Sequence, residues 1–387
     1  MVEIIHNKGQ LDALLGDGRE LRDLCIEGVD LRGVSLDGLR LTRVELIDVV
    51  LASASLDECV LSEVRLTGID LTGASLRDAQ LSSCTFERCT LSGANLEGAT
   101  LTGGRLEEVV ARGCGAAGAT FDAVQMRTLD LSEAKLDGAT LSECHMDGVV
   151  LASASMRAAR LAKPTFPADP RRALDARKTD LTEIDAAGAQ LDGANLGGAV
   201  LRGAKLGGAA LVRAEMRGAD LTNADLTDAI LVDASFEGAD LRGARLSGAN
   251  LSGASLANAK LDGVILAGAT LHHTKVAGAR LVGVDLAGLD PRHLDGVPSA
   301  FSGTKLAGAK LPGLSAPGLD FCDVDLSDAD LRGANLAGAR LRRALLRGAD
   351  LTGANLTGAD LSDAVLAGAD LRDAVLEGAL LDRAELC

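Results

Sequence analysis

Hydrophobic side chains recur at every fifth residue of this chain, and the repeat keeps its phase from Leu21 to Leu386. Almost every one of these positions, which we call beat positions, holds Leu, Ile, Val, Met or Phe. A small residue, usually Ala, lies two residues before a beat position, Asp or Asn often lies one before it, and Gly often lies two after it. This continuity predicts one structural unit repeated along nearly the whole chain.

A period of five residues fits neither common secondary structure. On a helix, at about 100° per residue, successive beat positions would point in different directions, and a strand alternates its faces with a period of two. The pattern therefore predicts an all-β solenoid whose beat residues and small residues fill a narrow bore, with Gly and Asn at the corners. We expect Leu256 and Leu336 in the bore, and Asp225 on the outer surface, where substitution by Ala has little effect.

Stretches such as Ala219-Asp220-Leu221, Ala249-Asn250-Leu251 and Ala354-Asn355-Leu356 resemble the A(D/N)LXX motif of the pentapeptide repeat protein family. The resemblance covers nearly the whole chain. It implies a right-handed quadrilateral β-helix, with one pentapeptide on each of four sides. Between residues 21 and 160, Val, Ile or Cys often replaces the small Ala, and there we expect a wider or less regular tube.

The breaks in the pattern predict four parts. The first is an N-terminal cap made of a short strand and a helical turn. Two solenoid segments follow, joined by a connection whose three prolines would remove hydrogen bonds from the β-ladders. The bounds of these four parts are 1–20, 21–163, 164–180 and 181–387.

Two regions are candidate sites for protein contacts, because loops that project from a solenoid carry its distinctive contacts. Arg171 and Arg172 lie in the connection at 164–180. A second group of prolines marks expected projecting loops near residues 287–320: Pro291, Pro298, Pro312 and Pro317.

Composition argues against an enzyme. Aromatic residues make up 2% of the chain, with no Trp or Tyr, whereas most small-molecule pockets are lined by aromatic side chains. His, Ser and Cys occur in no spacing typical of a catalytic or metal site. We therefore expect a non-enzymatic protein with no catalytic residues, cofactor or metal. The absence of an apolar stretch long enough to span a bilayer, and of a signal peptide, predicts a cytoplasmic protein without a membrane span.

Five of the eight cysteines occupy the small inward position two before a beat: Cys59, Cys84, Cys89, Cys114 and Cys144. They are interpreted as small core residues, since no two of them stack in adjacent coils where a disulfide could form. Cys25, Cys322 and Cys387 lie off this position and are expected to be more exposed.

The acidic surface leaves two interpretations open. The net charge is −16 and neither half is basic, which disfavours direct binding of nucleic acid. Counting four pentapeptides per coil places a row of aspartates in one column, together with Asn250: Asp330, Asp350 and Asp370. A second column would contain Asp220, Asp240, Asp320 and Asp360. These carboxylates either keep the protein soluble or, as the family resemblance implies, mimic DNA and bind a type II topoisomerase such as DNA gyrase.

The main hypothesis is an elongated scaffold for protein–protein binding, with the partner's identity open. The DNA mimic, an inhibitor or protector of topoisomerase, is the first alternative. The second follows from residues 11–36, which resemble repeat modules that accompany bacterial type VI secretion loci and would make the chain an adaptor or effector-delivery component. We also expect a homodimer, or partner docking, through the last coil at 367–387, where Leu376 and Leu381 lie on an open edge.

Overall fold

The computed structural model describes residues 3–15, 19–165, 173–280, 284 and 306–386. Contacts divide the chain into two compact units, Met1–Lys205 and Leu206–Cys387. Each unit is a coil of short, parallel-paired segments, which confirms the β-helix predicted from the five-residue repeat.

All of the named strands and the one helix in the described residues belong to the first unit. Alternate strands form two parallel eight-stranded sheets, and neighbouring strands in each sheet belong to successive coils. The first sheet contains the odd-numbered strands β1 to β15, and the second contains the even-numbered strands β2 to β16. Their bounds, in chain order, are β1 Glu3–Ile5, α1 Lys8–Leu15, β2 Glu20–Arg22, β3 Leu24–Glu27, β4 Arg40–Thr42, β5 Glu45–Ile47, β6 Val60–Ser62, β7 Arg65–Thr67, β8 Gln80–Ser82, β9 Thr85–Glu87, β10 Thr100–Thr102, β11 Arg105–Glu107, β12 Thr120–Asp122, β13 Gln125–Arg127, β14 Thr140–Ser142, β15 His145–Asp147 and β16 Arg160–Ala162.

Pairing in register fixes the coil length. Leu61 pairs with Leu41 on one side and Leu81 on the other, so residues 20 positions apart stack on each other. The other two sides of the coil are joined by single bridges with the same spacing, such as Val50 with Asp70. Four pentapeptides per coil, as the family resemblance implies, are therefore present in the structure.

The inward small residue differs according to the segment that it follows. After a strand of the first unit it is often large, as at Val64, Ile69 and Leu129, and these are buried. After a turn it is usually Ala, as at Ala54 and Ala74. In the described part of the second unit Ala predominates, and all four sides are single-residue bridges between turns.

The N-terminal residues cover the first coil. Strand β1 pairs with β3 and so extends the first sheet by one strand. Helix α1 begins after Asn7, whose Oδ1 accepts the backbone N–H of Gln10 at 3.0 Å, while Oε1 of Gln10 accepts the N–H of His6 at 3.0 Å. This reciprocal arrangement resembles a capping box. Leu11 on α1 is buried.

One coil of the first unit contains 25 residues. Val150 pairs with Asp175, Ser155 with Asp180, and Arg160 with Asp185, each pair 25 positions apart. Of the expected connection at 164–180, residues Pro164, Thr165 and 173–180 lie in coil register, and residues 166–172 lie outside the described residues. An inserted pentapeptide adds one whole period, so the beat positions pass through it without a change of phase.

Side-chain hydrogen bonds in the core show the 25-residue coil independently. The thiol of Cys84 donates to the carbonyl of Leu61, and the hydroxyl of Thr274 donates to that of Leu251, each 23 residues earlier. The hydroxyl of Thr179 makes the corresponding bond to the carbonyl of Leu151 at 2.7 Å, 28 residues earlier. The difference is one pentapeptide.

The bore is filled as predicted. Leu256 and Leu336 are each 1% exposed. Asp225 differs from its prediction, because it is half-buried and its Oδ1 accepts both the N–H and the hydroxyl of Thr227, at 3.0 and 2.6 Å. No helix among the described residues has the length and apolar character needed to cross a membrane.

Candidate protein-binding surface

The three aspartates singled out in the sequence do form one column. Asp330 pairs with Asp350, and Asp350 pairs with Asp370, on successive coils of the second unit. Each occupies the outward position one before a beat, where its Oδ1 accepts the backbone N–H two residues further on. This local bond explains why Asp recurs at the position, since a short carboxylate can close the turn that follows.

Arginines neutralise most of this acidic column. Arg332 donates from Nε to Oδ1 of Asp330 at 2.8 Å and from Nη2 to Oδ2 at 2.6 Å. Arg372 contacts Asp370 in the same two-pronged way, at 2.9 and 2.6 Å. These guanidinium hydrogen bonds lower the pKa of Asp330 and Asp370 below its usual value. The carboxylates are therefore already paired with cations of the same chain.

The expected continuation of this column was wrong. The N–H of Lys310, which precedes Asp330 in the column, bonds to the carbonyl of Val284 at 3.4 Å, 26 residues earlier. Elsewhere the same bond spans 21 residues, as from Asp330 to Ala309. One extra pentapeptide therefore separates the two parts of this unit, and Asn250 does not share the column of Asp330.

The second expected acidic column was wrong for the same reason. Asp220 and Asp240 are followed in their column by Lys260 and Arg280. Asp240 also accepts from Arg242 at 2.8 and 2.7 Å, and these bonds lower its pKa.

Asp320 and Asp360 lie in a different column, and Arg340 lies between them. Nη1 of Arg340 is 3.1 Å from the carboxylate of Asp320. Among the described residues of these two columns, the aspartates form no continuous acidic stripe.

The prolines and arginines proposed as loop contacts fall into two groups. Pro312 and Pro317 lie half-buried in regular turns of a coil rather than in projecting loops. Proline is tolerated at this position because the next residues, Gly313 and Gly318, donate the backbone hydrogen bonds to the following coil. The remaining candidates, Arg171, Arg172, Pro291 and Pro298, lie outside the residues that the structure describes.

Exposed apolar side chains concentrate near the C-terminal end of the described residues. Leu345, Val365, Val375 and Leu380 occupy the outward position one before a beat, where Asp or Asn is usual. We call these four residues the C-terminal apolar patch. Leu345 stacks on Val365 in one column, whereas Val375 continues the column of Asn355 and Leu380 that of Asp360, so the patch is spread over three sides of the last coils. The exposed fractions of Leu345, Val375 and Leu380 are 38%, 47% and 52%.

The patch was not predicted from the sequence, because its residues occupy the outward position one before a beat rather than the beat position itself. The signal was available, since Val or Leu replaces Asp or Asn at the outward position. Leu376 and Leu381, which were singled out, are beat residues of the last coil. Leu376 is half-buried and Leu381 is 36% exposed, whereas Leu366 in the previous coil is 2% exposed.

Two ion pairs lie beside the patch. Nη2 of Arg347 lies 3.7 Å from the carboxylate of Glu385, next to Leu345 and Val365. Arg383 contacts Asp363, with Nε 2.6 Å from Oδ1 and Nη2 2.9 Å from Oδ2. Such pairs weaken the like-charge repulsion that aspartates near an interface would cause.

The thiols are core groups. All five inward cysteines are buried. Burial raises the pKa of Cys59 to about 12 and that of Cys84, Cys114 and Cys144 to about 11. Thiols held in this protonated state are poor nucleophiles.

Cys25 is buried, contrary to its expected exposure, because β1 pairs over it through Ile4. Cys322 is half-buried, and Cys387 lies outside the described residues. In the part of the chain that the structure describes, no group of three or more His, Cys, Asp or Glu side chains is arranged to hold a metal ion.

Comparison with known families covers most of the chain. The family model described as pentapeptide repeats matches in eight copies, at residues 130–163, 179–218, 209–248, 219–256, 249–288, 299–336, 325–363 and 359–386. A second model, described as a pentapeptide repeat region, matches residues 21–96 and 39–113. No curated protein matches the chain.

Several solved structures are similar. HetL, a pentapeptide repeat protein involved in heterocyst differentiation regulation from the cyanobacterium Nostoc sp. strain PCC 7120, is 28% identical over 72% of this chain and 88% of its own, with a TM-score of 0.20. Full-length QnrB1, a plasmid-mediated fluoroquinolone resistance protein, is 18% identical over 65% and 92%, with a TM-score of 0.21. AT2G44920, a pentapeptide repeat protein from the Arabidopsis thaliana thylakoid lumen, is 30% identical over 27% and 69%, with a TM-score of 0.16.

Proposed function

The chain belongs to the pentapeptide repeat family, and we propose that it is a non-enzymatic scaffold that binds protein through its C-terminal apolar patch. The observation that carries this proposal is the exposure of Val375 and Leu380 at positions where the repeat normally places Asp or Asn. Exposed apolar groups rimmed by polar residues are typical of protein–protein interfaces.

The patch differs from the rest of the surface in density. Nine large hydrophobic side chains among the described residues are exposed, and five of them lie between positions 345 and 386. The others, such as Ile230, lie scattered, and single exposed hydrophobes are normal on a soluble protein. The outward direction of Val375 and Leu380 does not depend on whether another coil follows the last one.

We propose a second copy of this chain as the occupant, with contacts from the side of the patch that carries Leu380. Two-fold pairing presents this side from both copies, so Leu380 is buried by its counterpart or a neighbour. The ion pairs of Arg347 and Arg383 compensate the charges of Glu385 and Asp363 at the rim.

The test is sedimentation at micromolar concentration. The native chain is expected to sediment as a dimer, and Leu380→Asp to raise the dissociation constant by at least about tenfold, because it buries an unpaired charge. Ile230→Asp is the matched control, since Ile230 occupies the same outward position and is 44% exposed. If Leu380→Asp and Ile230→Asp behave alike, the patch is not the interface; a monomeric native chain excludes the homodimer.

The geometry favours this proposal over DNA mimicry. Mimicry needs a continuous row of unpaired negative charge, and the column of Asp330, Asp350 and Asp370 is bonded to Arg332 and Arg372. A supercoiling assay with purified DNA gyrase separates the two functions, since only a mimic of DNA inhibits the enzyme or protects it. The type VI secretion hypothesis rests on residues 11–36 alone, and the genomic neighbourhood tests it.

Seven cysteines among the described residues are free. Free thiols in this number favour a reducing compartment, and we propose that the protein works in the cytoplasm.

A further inference from the structure

We draw no further inference here: the strongest candidate, the part of the outer face of the second sheet where Thr100, Thr120 and Thr140 stack in one column, is a stripe of small residues on a sheet face, and nothing in the structure shows what covers it.

Discussion

At the scale of single residues, the corner positions determine how closely successive coils can fit. The corner residue two after a beat has a positive φ, such as 56° at Asp228 and 68° at Gly248 one coil later. Oδ1 of Asp228 occupies the place that a Cβ on Gly248 would take. Glycine at 248 is therefore favoured by its positive φ and required by the position of the Asp228 carboxylate, which leaves no room for a Cβ.

Substitution of two glycines separates these two requirements. Gly248→Ala and Gly238→Ala both strain a residue with φ near 67°, at about 1–2 kcal/mol, but a Cβ on Gly238 meets nothing within 4 Å. We expect Gly248→Ala to lose about 1–3 kcal/mol more than Gly238→Ala in denaturant unfolding, because it displaces Asp228. Adding Asp228→Ala to Gly248→Ala should recover part of that loss. Equal effects of the two glycine substitutions would contradict the contact.

Asp225 shows where reasoning from the sequence was too simple. As an outward residue it was expected to tolerate Ala, but it holds two hydrogen bonds from Thr227. We now expect Asp225→Ala to lower the free energy of unfolding by about 1–2 kcal/mol, because a bond to a charged group is stronger than one between neutral groups. A double-mutant cycle with Thr227→Val measures the contact. A coupling energy near zero would support the original expectation that substitution of Asp225 by Ala has little effect on stability.

The same contact fixes a pH dependence. The hydrogen bond from Thr227 lowers the pKa of Asp225, so its stabilising effect is present above the ordinary carboxyl pKa of about 3.9. It is lost as the pH falls through the lower pKa of the folded state. The difference in the free energy of unfolding between the native chain and Asp225→Ala should therefore be largest at neutral pH and become smaller in acid.

At the scale of the coil, the five-residue period predicted the architecture but not the alignment of the faces. Inward and outward positions follow from the beat alone, and Leu256 and Leu336 were assigned correctly for that reason. Columns require the number of pentapeptides in every coil. An inserted pentapeptide leaves the spacing of the beat positions unchanged, but it moves every later pentapeptide to the neighbouring column. For this reason Asn250 was placed in the wrong column.

Two deletions of equal size test the 25-residue coil. Removing residues 166–170 leaves Val150 and Asp175 20 positions apart, as in an ordinary coil. We expect the free energy of unfolding to change by less than about 1 kcal/mol, because the deletion restores the 20-residue spacing and removes none of the described pairs. Removing 131–135 from a 20-residue coil leaves too few residues to close four sides, and we expect a loss of more than about 4 kcal/mol. Similar unfolding midpoints for the two variants would refute the insertion.

At the scale of the whole molecule, the fold was easier to predict from the sequence than the proposed binding surface. The β-helix follows from a repeat that hardly varies along the chain. A binding surface depends on departures from the repeat, such as Val375 and Leu380, and each departure is a single residue. Charge was also misleading, because counting aspartates did not show that Arg332 and Arg372 are bonded to them.

Amide hydrogen exchange at two protein concentrations tests the central claim most directly, because it locates the surface that a second copy covers. We predict that raising the concentration from the nanomolar to the micromolar range slows exchange in residues 365–386 and leaves the segment around Ile230 unchanged. Leu380→Asp should remove this protection at the same concentrations. Exchange in residues 365–386 that does not change with concentration, or protection that appears elsewhere in the chain instead, would contradict the assignment of the C-terminal apolar patch as the protein-binding surface.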